Sequence, residues 1–253
     1  MYGEGPQGLA DSRGLTIDEA NATIKKVLKA MPGIDRTSQI VQEFAKQRGY
    51  VETISGHVRR LPEAQDDHNP AKQSRAIRQS FNAVIQGSGS YCTNTALYLI
   101  RKAIKKFNLK SRIVITVHDS IVLDVHPSEM MIIPKLAKKI MEHLPIPELI
   151  CKRSDYPDLK VADKYAINDK LFRFPLFAEG EFGKTYGDAL DLDMDELAQL
   201  GAETYYQYGM ECKLVNDTYN TQLKDEQDDD KKADIVKTRD TKLGEIHKKY
   251  FGE

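Results

Sequence analysis

Between Arg112 and Val125 the chain reads RIVITVHDSIVLDV, two runs of mostly β-branched residues parted by His118, Asp119 and Ser120. β-branched side chains favour strands, and so short a polar break leaves room only for a tight turn. The pattern predicts a β-hairpin with a histidine and an aspartate at its bend. A carboxylate at the bend of a stiff hairpin is held in place and exposed. Mg²⁺ suits such an oxygen ligand, because it usually takes one or two carboxylates plus substrate phosphates. Asp and Ser also favour turns for their own sake. From the hairpin alone, turn chemistry and metal binding both stay open, and a metal reading needs a second carboxylate from elsewhere.

Upstream of the hairpin the periodicity is helical. GLTIDEANATIKKVLKAMPG predicts a helix with Thr16 as N-cap, Glu19 completing a capping box, and Pro32-Gly33 as its stop. IDRTSQIVQEFAKQRG repeats the pattern, with Ile40, Phe44 and Ala45 on one face and Gly49 at the end. YVETIS alternates as a strand does, and a basic loop containing His57, Arg59 and Arg60 follows it. A long helix is expected from Ala71 to Asn108, with a kink or a close backbone approach at Gly87-Ser88-Gly89. On that helix Arg75, Arg78, Asn82 and Gln86 recur at spacings of three and four, so they share a face. Guanidinium and amide groups together suit phosphates and minor-groove base edges; a plain solvated face is the other reading.

After the hairpin, SEMMIIPKLAKKIMEHL predicts an amphipathic helix and FRFPLFAEGEFG a short strand. From Asp191 on the chain is polar and helix-prone, and KDEQDDDKKAD reads as a solvated helix or as disorder. The fold class expected is α+β. Residues 1–153 hold 23 Lys and Arg against 15 Asp and Glu, whereas residues 154–253 hold 14 against 23. A basic body with an acidic C-terminal part hints at a polyanionic partner for the first half. No run approaches the roughly 18 apolar residues of a membrane span. MYGEGPQGLADSRGL has no signal-peptide core. A cytosolic chain with no membrane partner is therefore expected. Cys92, Cys151 and Cys212 form no CxxC pair and read as lone thiols.

Taken in order, YGEGPQGLA, GYVETISGHVRRLP, RQSFNAVIQGSG, VHDSIVLDV and FPLFAEGEFGKTYGDA resemble the C-terminal part of family A (Pol I-like) DNA polymerases, over about residues 2–190. The context looks more like the DNA enzymes than their phage RNA polymerase relatives, and a phage source is expected. The resemblance implies a right-hand polymerase. Residues 1–66 would be remaining fingers helices and a basic loop, residues 67–190 the palm with the QG helix and the motif C hairpin, and residues 191–253 an acidic helical or disordered extension. In that family the hairpin aspartate binds the two catalytic metals and the histidine lies near the primer terminus; by position these are Asp119 and His118. The QG helix contacts template and primer through residues that match Arg78, Asn82 and Gln86. Implied with them are Mg²⁺, primer–template DNA and a dNTP.

The chain also departs from the family. Ser120 stands where a glutamate is common, and His57-Val58 replaces two arginines after the YVET strand. No site is carried over from that loop. The helix that grips the nucleotide, and motif A with the second metal-binding aspartate, precede YGEG in the family. The expectation is therefore a polymerase portion that is inactive alone and completed by an N-terminal polymerase half on another chain, from a split gene or, alternatively, a truncated one. Half a palm should also leave a raw sheet edge and apolar face, and so fold marginally without its partner. An alternative function is a non-catalytic primer–template-binding remnant. A third reading makes the acidic C-terminal part a partner-docking or processivity element.

Overall fold

The computed structural model describes residues 5–156, 160 and 162–252. Tyr2, Gly3 and Glu4, which begin the first of the matched stretches, lie outside them. Two compact units divide the chain. One runs from the N-terminal helices to Leu97 and takes in Thr116–Ile121; the other holds Tyr98–Ile115 and everything from Val122.

In the first unit, α1 (Pro6–Arg13) leads to α2 (Ile17–Ala30). The backbone N–H of Glu19 donates to Thr16 Oγ1 at 3.3 Å, and the N–H of Thr16 donates to Glu19 Oε2 at 2.9 Å, completing the expected capping box. These bonds from Thr16 hold the Glu19 carboxyl below its ordinary value. Pro32 ends α2 and at once opens α3 (Pro32–Arg48), since a proline lacks only an N–H that a first turn leaves unused. Gly49 closes α3 with φ 70°, a left-handed cap that costs glycine nothing. On the face expected to be apolar only Ala45 is buried, while Ile40 and Phe44 are exposed.

The strand β1 (Tyr50–Glu52) pairs antiparallel with β2 (Val58–Arg60), opposing Val51 to Arg59. The basic stretch expected to be a loop is thus partly a strand, with Arg59 and Arg60 exposed on it. Val51 and Leu61 bury against Ala45, Ala64 and Ala76. Ala76 belongs to α4 (Pro70–Lys106), a single helix of 37 residues. Gly87-Ser88-Gly89 does not interrupt it.

The hairpin follows as β3 (Arg112–Val117) and β4 (Ser120–Asp124), joined by His118-Asp119. Next comes α5 (Ile133–Glu142), shorter than its sequence pattern because a turn at Pro127–Glu129 and the proline at its second position set its start. β5 (Ile150–Lys152) pairs with β6 (Leu171–Arg173), and β7 (Glu181–Phe182) with β8 (Leu190–Asp191). Among the described residues every sheet has two strands. Ile100, Ile133, Leu144, Ile146, Phe172 and Leu197 are the large side chains most fully buried in the second unit.

The acidic segment is helical: α6 (Met194–Leu200), α7 (Ala202–Asp225) and α8 (Asp229–Phe251). The run expected to be helix or disorder breaks only at Glu226–Asp228, where Asp228 caps α8 through the N–H groups of Asp230 and Lys231. Aromatic rings hold α7 to α8, with Tyr208 edge-on to Tyr250 and Phe251. Glu211 accepts from Lys249 and from the Tyr250 hydroxyl. Burial pushes the Tyr208 phenol up to about 12. The three cysteines are free and half-buried, and burial raises each thiol, which lowers its thiolate fraction. No helix among the described residues is long and apolar enough to cross a membrane.

Candidate active site

The bend of the hairpin is tight because only two residues cross it. His118 takes the first position with φ 55°, in the left-handed region. A non-glycine residue there costs of order 1–3 kcal/mol, which the flanking strands must impose. His118, Asp119 and Ser120 are all exposed. Asp124, the other acidic residue of the hairpin, accepts from Arg112 Nε across the two strands at 3.0 Å. It is engaged at the base of the hairpin.

The base is locked by a buried carboxylate. Glu129 accepts from the N–H of Lys110 at 2.7 Å, the N–H of Ser111 at 2.9 Å and the hydroxyl of Ser111 at 2.5 Å. The same hydroxyl accepts from the N–H of His126 at 2.9 Å. One acid and one serine thereby tie the residue before β3 to the residues after β4. Sequence reasoning missed this pair. The signal was a glutamate following Pro127 in an apolar stretch, a place where an acid survives only with donors around it. The bonds from Lys110 and Ser111 lower the Glu129 carboxyl. A depressed carboxyl contributes stability that is complete above its unfolded value and is lost as pH falls through the folded one. Acid unfolding followed by circular dichroism should therefore begin below about pH 4.3, and Glu129→Gln should flatten that limb. An unchanged limb would count against the lock.

Val114 and Ile115 are 61% and 52% exposed. Adjacent residues of a strand point to opposite faces, so β3 leaves apolar surface on both.

On α4, Arg75, Arg78 and Gln86 are exposed and Asn82 is half-buried. The side-chain oxygen of Asn82 is buried with no hydrogen-bond partner among the described residues. Such an orphan costs about 1–3 kcal/mol and calls for a reason other than stability. The helix meets the YVET turn at its glycine. A Cβ on Gly87 would lie 2.5 Å from Thr53 Cγ2. Ser88 Oγ accepts from the N–H of Ile54 at 3.1 Å. Thr53 is buried, and its hydroxyl accepts from the N–H of His57 at 3.2 Å. The expected close approach at Gly87-Ser88-Gly89 is present, and the helix runs unbroken through it. Ser88 was missed as a contact, although its place beside the glycine was the available signal.

Arg78, Asn82 and Gln86 fall in the same compact unit as the bend that carries His118 and Asp119. Among the described residues no group of three or more His, Cys, Asp or Glu side chains could hold a metal ion. Asp119 is one hard oxygen donor, right in kind for Mg²⁺ and too few in number for a two-ion site.

Residues 1–154 match the pattern of DNA polymerase family A. Over 226 residues, 86% of this chain, the sequence is 31% identical to the DNA polymerase of Bacillus phage SP01. Over 143 residues, 56% of this chain, it is 32% identical to DNA polymerase I of Bacillus subtilis strain 168. The chain spans only 22% of the phage protein's length and 16% of the bacterial one's. The phage match leaves about 35 residues of this chain uncovered, fewer than the 63 of residues 191–253, so part of the acidic segment lies within it. Among solved structures, the POL domain of Pol1 from M. smegmatis in complex with DNA primer-template and dNTP matches with a TM-score of 0.52 and 30% sequence identity, covering 56% of this chain and 25% of that one. A family pattern that spans more than half of its residues shows that the chain belongs to DNA polymerase family A.

Proposed function

We propose that this chain is the C-terminal portion of a DNA-directed DNA polymerase: fingers helices and loop in residues 1–66, palm in residues 67–190, and an acidic helical extension in residues 191–253. The observation that carries the reading is the bend with Asp119 in one compact unit with the Arg78–Asn82–Gln86 face. Template-directed DNA synthesis needs both, one to hold metal and one to hold primer–template. Arg78, Asn82 and Gln86 would donate to backbone and base-edge oxygens. His118 would sit beside the primer terminus. Asp119 would hold Mg²⁺. When bound, a pair of such ions activates the primer 3′-hydroxyl and steadies the leaving pyrophosphate as a dNTP is added.

The second aspartate comes, on this reading, from an N-terminal polymerase half on another chain, in keeping with the lone donor at Asp119 and the bare faces of β3. The pair would work in the cytoplasm, the host's if a phage encodes it. Binding tests the nucleic-acid face first. Fluorescence anisotropy with a primer–template should show affinity falling steeply with salt. Arg78→Ala, Asn82→Ala and Gln86→Ala together should weaken it about tenfold or more, since each good contact is worth about 1–3 kcal/mol. Unchanged affinity would remove that face from the reading.

A further inference from the structure

From His68 to His118 the chain has no Asp or Glu, a stretch of 51 residues with nine Lys and Arg. An ordinary solvated helix interleaves both signs. Arg78 stands in the first third of α4, but the densest part of the stretch is the other end. There Arg101, Lys102, Lys105 and Lys106 share one side of the last turns with Tyr98, and Phe107 follows directly. All four cations are exposed, and none has an ion-pair partner among the described residues. Favourable interaction with the helix C-terminus accounts for one or two cations, but it does not account for aromatic rings left in water. Tyr98 is 63% exposed and Phe107 60%. Lys102 Nζ lies 5.9 Å from the centre of the Tyr98 ring, and Lys106 Nζ 5.6 Å from that of Phe107. Exposed rings interleaved with unpaired cations are the combination that binds unpaired nucleotides, with phosphates on the cations and bases on the ring faces.

We propose that this end of α4 is a second nucleic-acid-binding surface, one that takes single-stranded DNA and is separate from the Arg78–Asn82–Gln86 face. Duplex DNA offers the cations the same phosphates but offers the rings no free base. The surface should therefore prefer single strands, and the rings should set that preference. Catalysis is not required for any of this, so the proposal can fail while the polymerase reading stands.

Residues 1–253 would be titrated, without divalent metal, against fluorescent oligothymidine and against a blunt duplex. The variant with Arg101, Lys102, Lys105 and Lys106 all changed to Gln should bind oligothymidine about tenfold or more weakly, with its logarithmic salt slope smaller by about 3. Tyr98→Leu with Phe107→Leu should lose about fivefold or more on oligothymidine and leave the duplex unchanged. Because those side chains are exposed, circular dichroism should match the parent. Photo-crosslinking of the unaltered chain to a 5-iododeoxyuridine oligonucleotide should label peptides containing Tyr98 or Phe107. Crosslinks confined to other peptides, or glutamine and leucine variants that bind oligothymidine like the parent, would overturn the proposal. So would binding to vesicles of phosphatidylglycerol and phosphatidylcholine with none to oligothymidine.

Discussion

On the proposed two-chain reading, Asp119→Ala in the reconstituted pair should lower primer extension by at least about a thousandfold, or ~4 kcal/mol of barrier, while Asp124→Ala leaves it within about threefold. Both are exposed hairpin carboxylates five residues apart, so charge and composition do not separate them. Their surroundings do. Asp119 sits at the bend with no ion-pair partner among the described residues, open to ligate an ion from solvent. Asp124 is already paired with Arg112, and both side chains are more than half exposed, which makes the pair worth about 0–1 kcal/mol. Losing it should loosen the base of the hairpin slightly, where Glu129 still holds both ends. Primer–template affinity should survive Asp119→Ala, because the carboxylate offers nothing to a phosphate unless metal lies between. Equal loss in the two variants would place the catalytic acid elsewhere.

Gly87→Ala should destabilise the chain by about 1–3 kcal/mol, the usual range for forcing a methyl group into packed space. The new Cβ would arrive 2.5 Å from Thr53 Cγ2. Thr53 is poorly placed to yield, since its hydroxyl bonds to Ser55 and its backbone and side chain both bond to His57. Relief would have to come from moving the YVET turn off α4, which also breaks the bond from Ile54 to Ser88. Gly89→Ala on the same helix meets nothing within 4 Å and should gain about 0.5–1 kcal/mol, as alanine does over glycine inside a helix. Urea unfolding of the two variants checks this, and a Gly87→Ala midpoint equal to the parent's would contradict the packing described.

Much of this was legible in the sequence because its signals are local. Thr16 and Glu19 stand three apart, which is enough to specify a capping box. β-Branched runs with one polar break specify a hairpin. The helix face of Arg78, Asn82 and Gln86 follows from spacing alone. What was not legible depends on contacts distant in sequence. No local pattern joins Glu129 to Ser111, eighteen residues away, or Ser88 to Ile54. The fate of GHVRR was misread for the same reason: its basic composition suits a loop, and only the register with Tyr50–Glu52 makes it a strand. The exposure of Ile40 and Phe44 departs from the helical periodicity that placed them on one apolar face. The acidic run after Lys224 looked undecided because its charges carry no apolar stripe; the α7–α8 pairing rests on scattered contacts such as Tyr208 on Tyr250 and Phe251, Glu211 on Lys249, and Lys242 over Tyr219. For the site, residue types and order pointed to Asp119 and the α4 face, and the structure adds that both fall in one compact unit.

The most direct measurement is primer extension with Mg²⁺ and dNTPs by residues 1–253 alone and together with the N-terminal polymerase half from the same genome. The proposed two-chain reading, with Asp119 as one metal-binding carboxylate, predicts no extended product from the single chain, and product when the proposed partner brings a second aspartate. Robust extension by residues 1–253 alone, abolished by Asp119→Ala, would contradict it, because a complete metal site would then lie within this sequence.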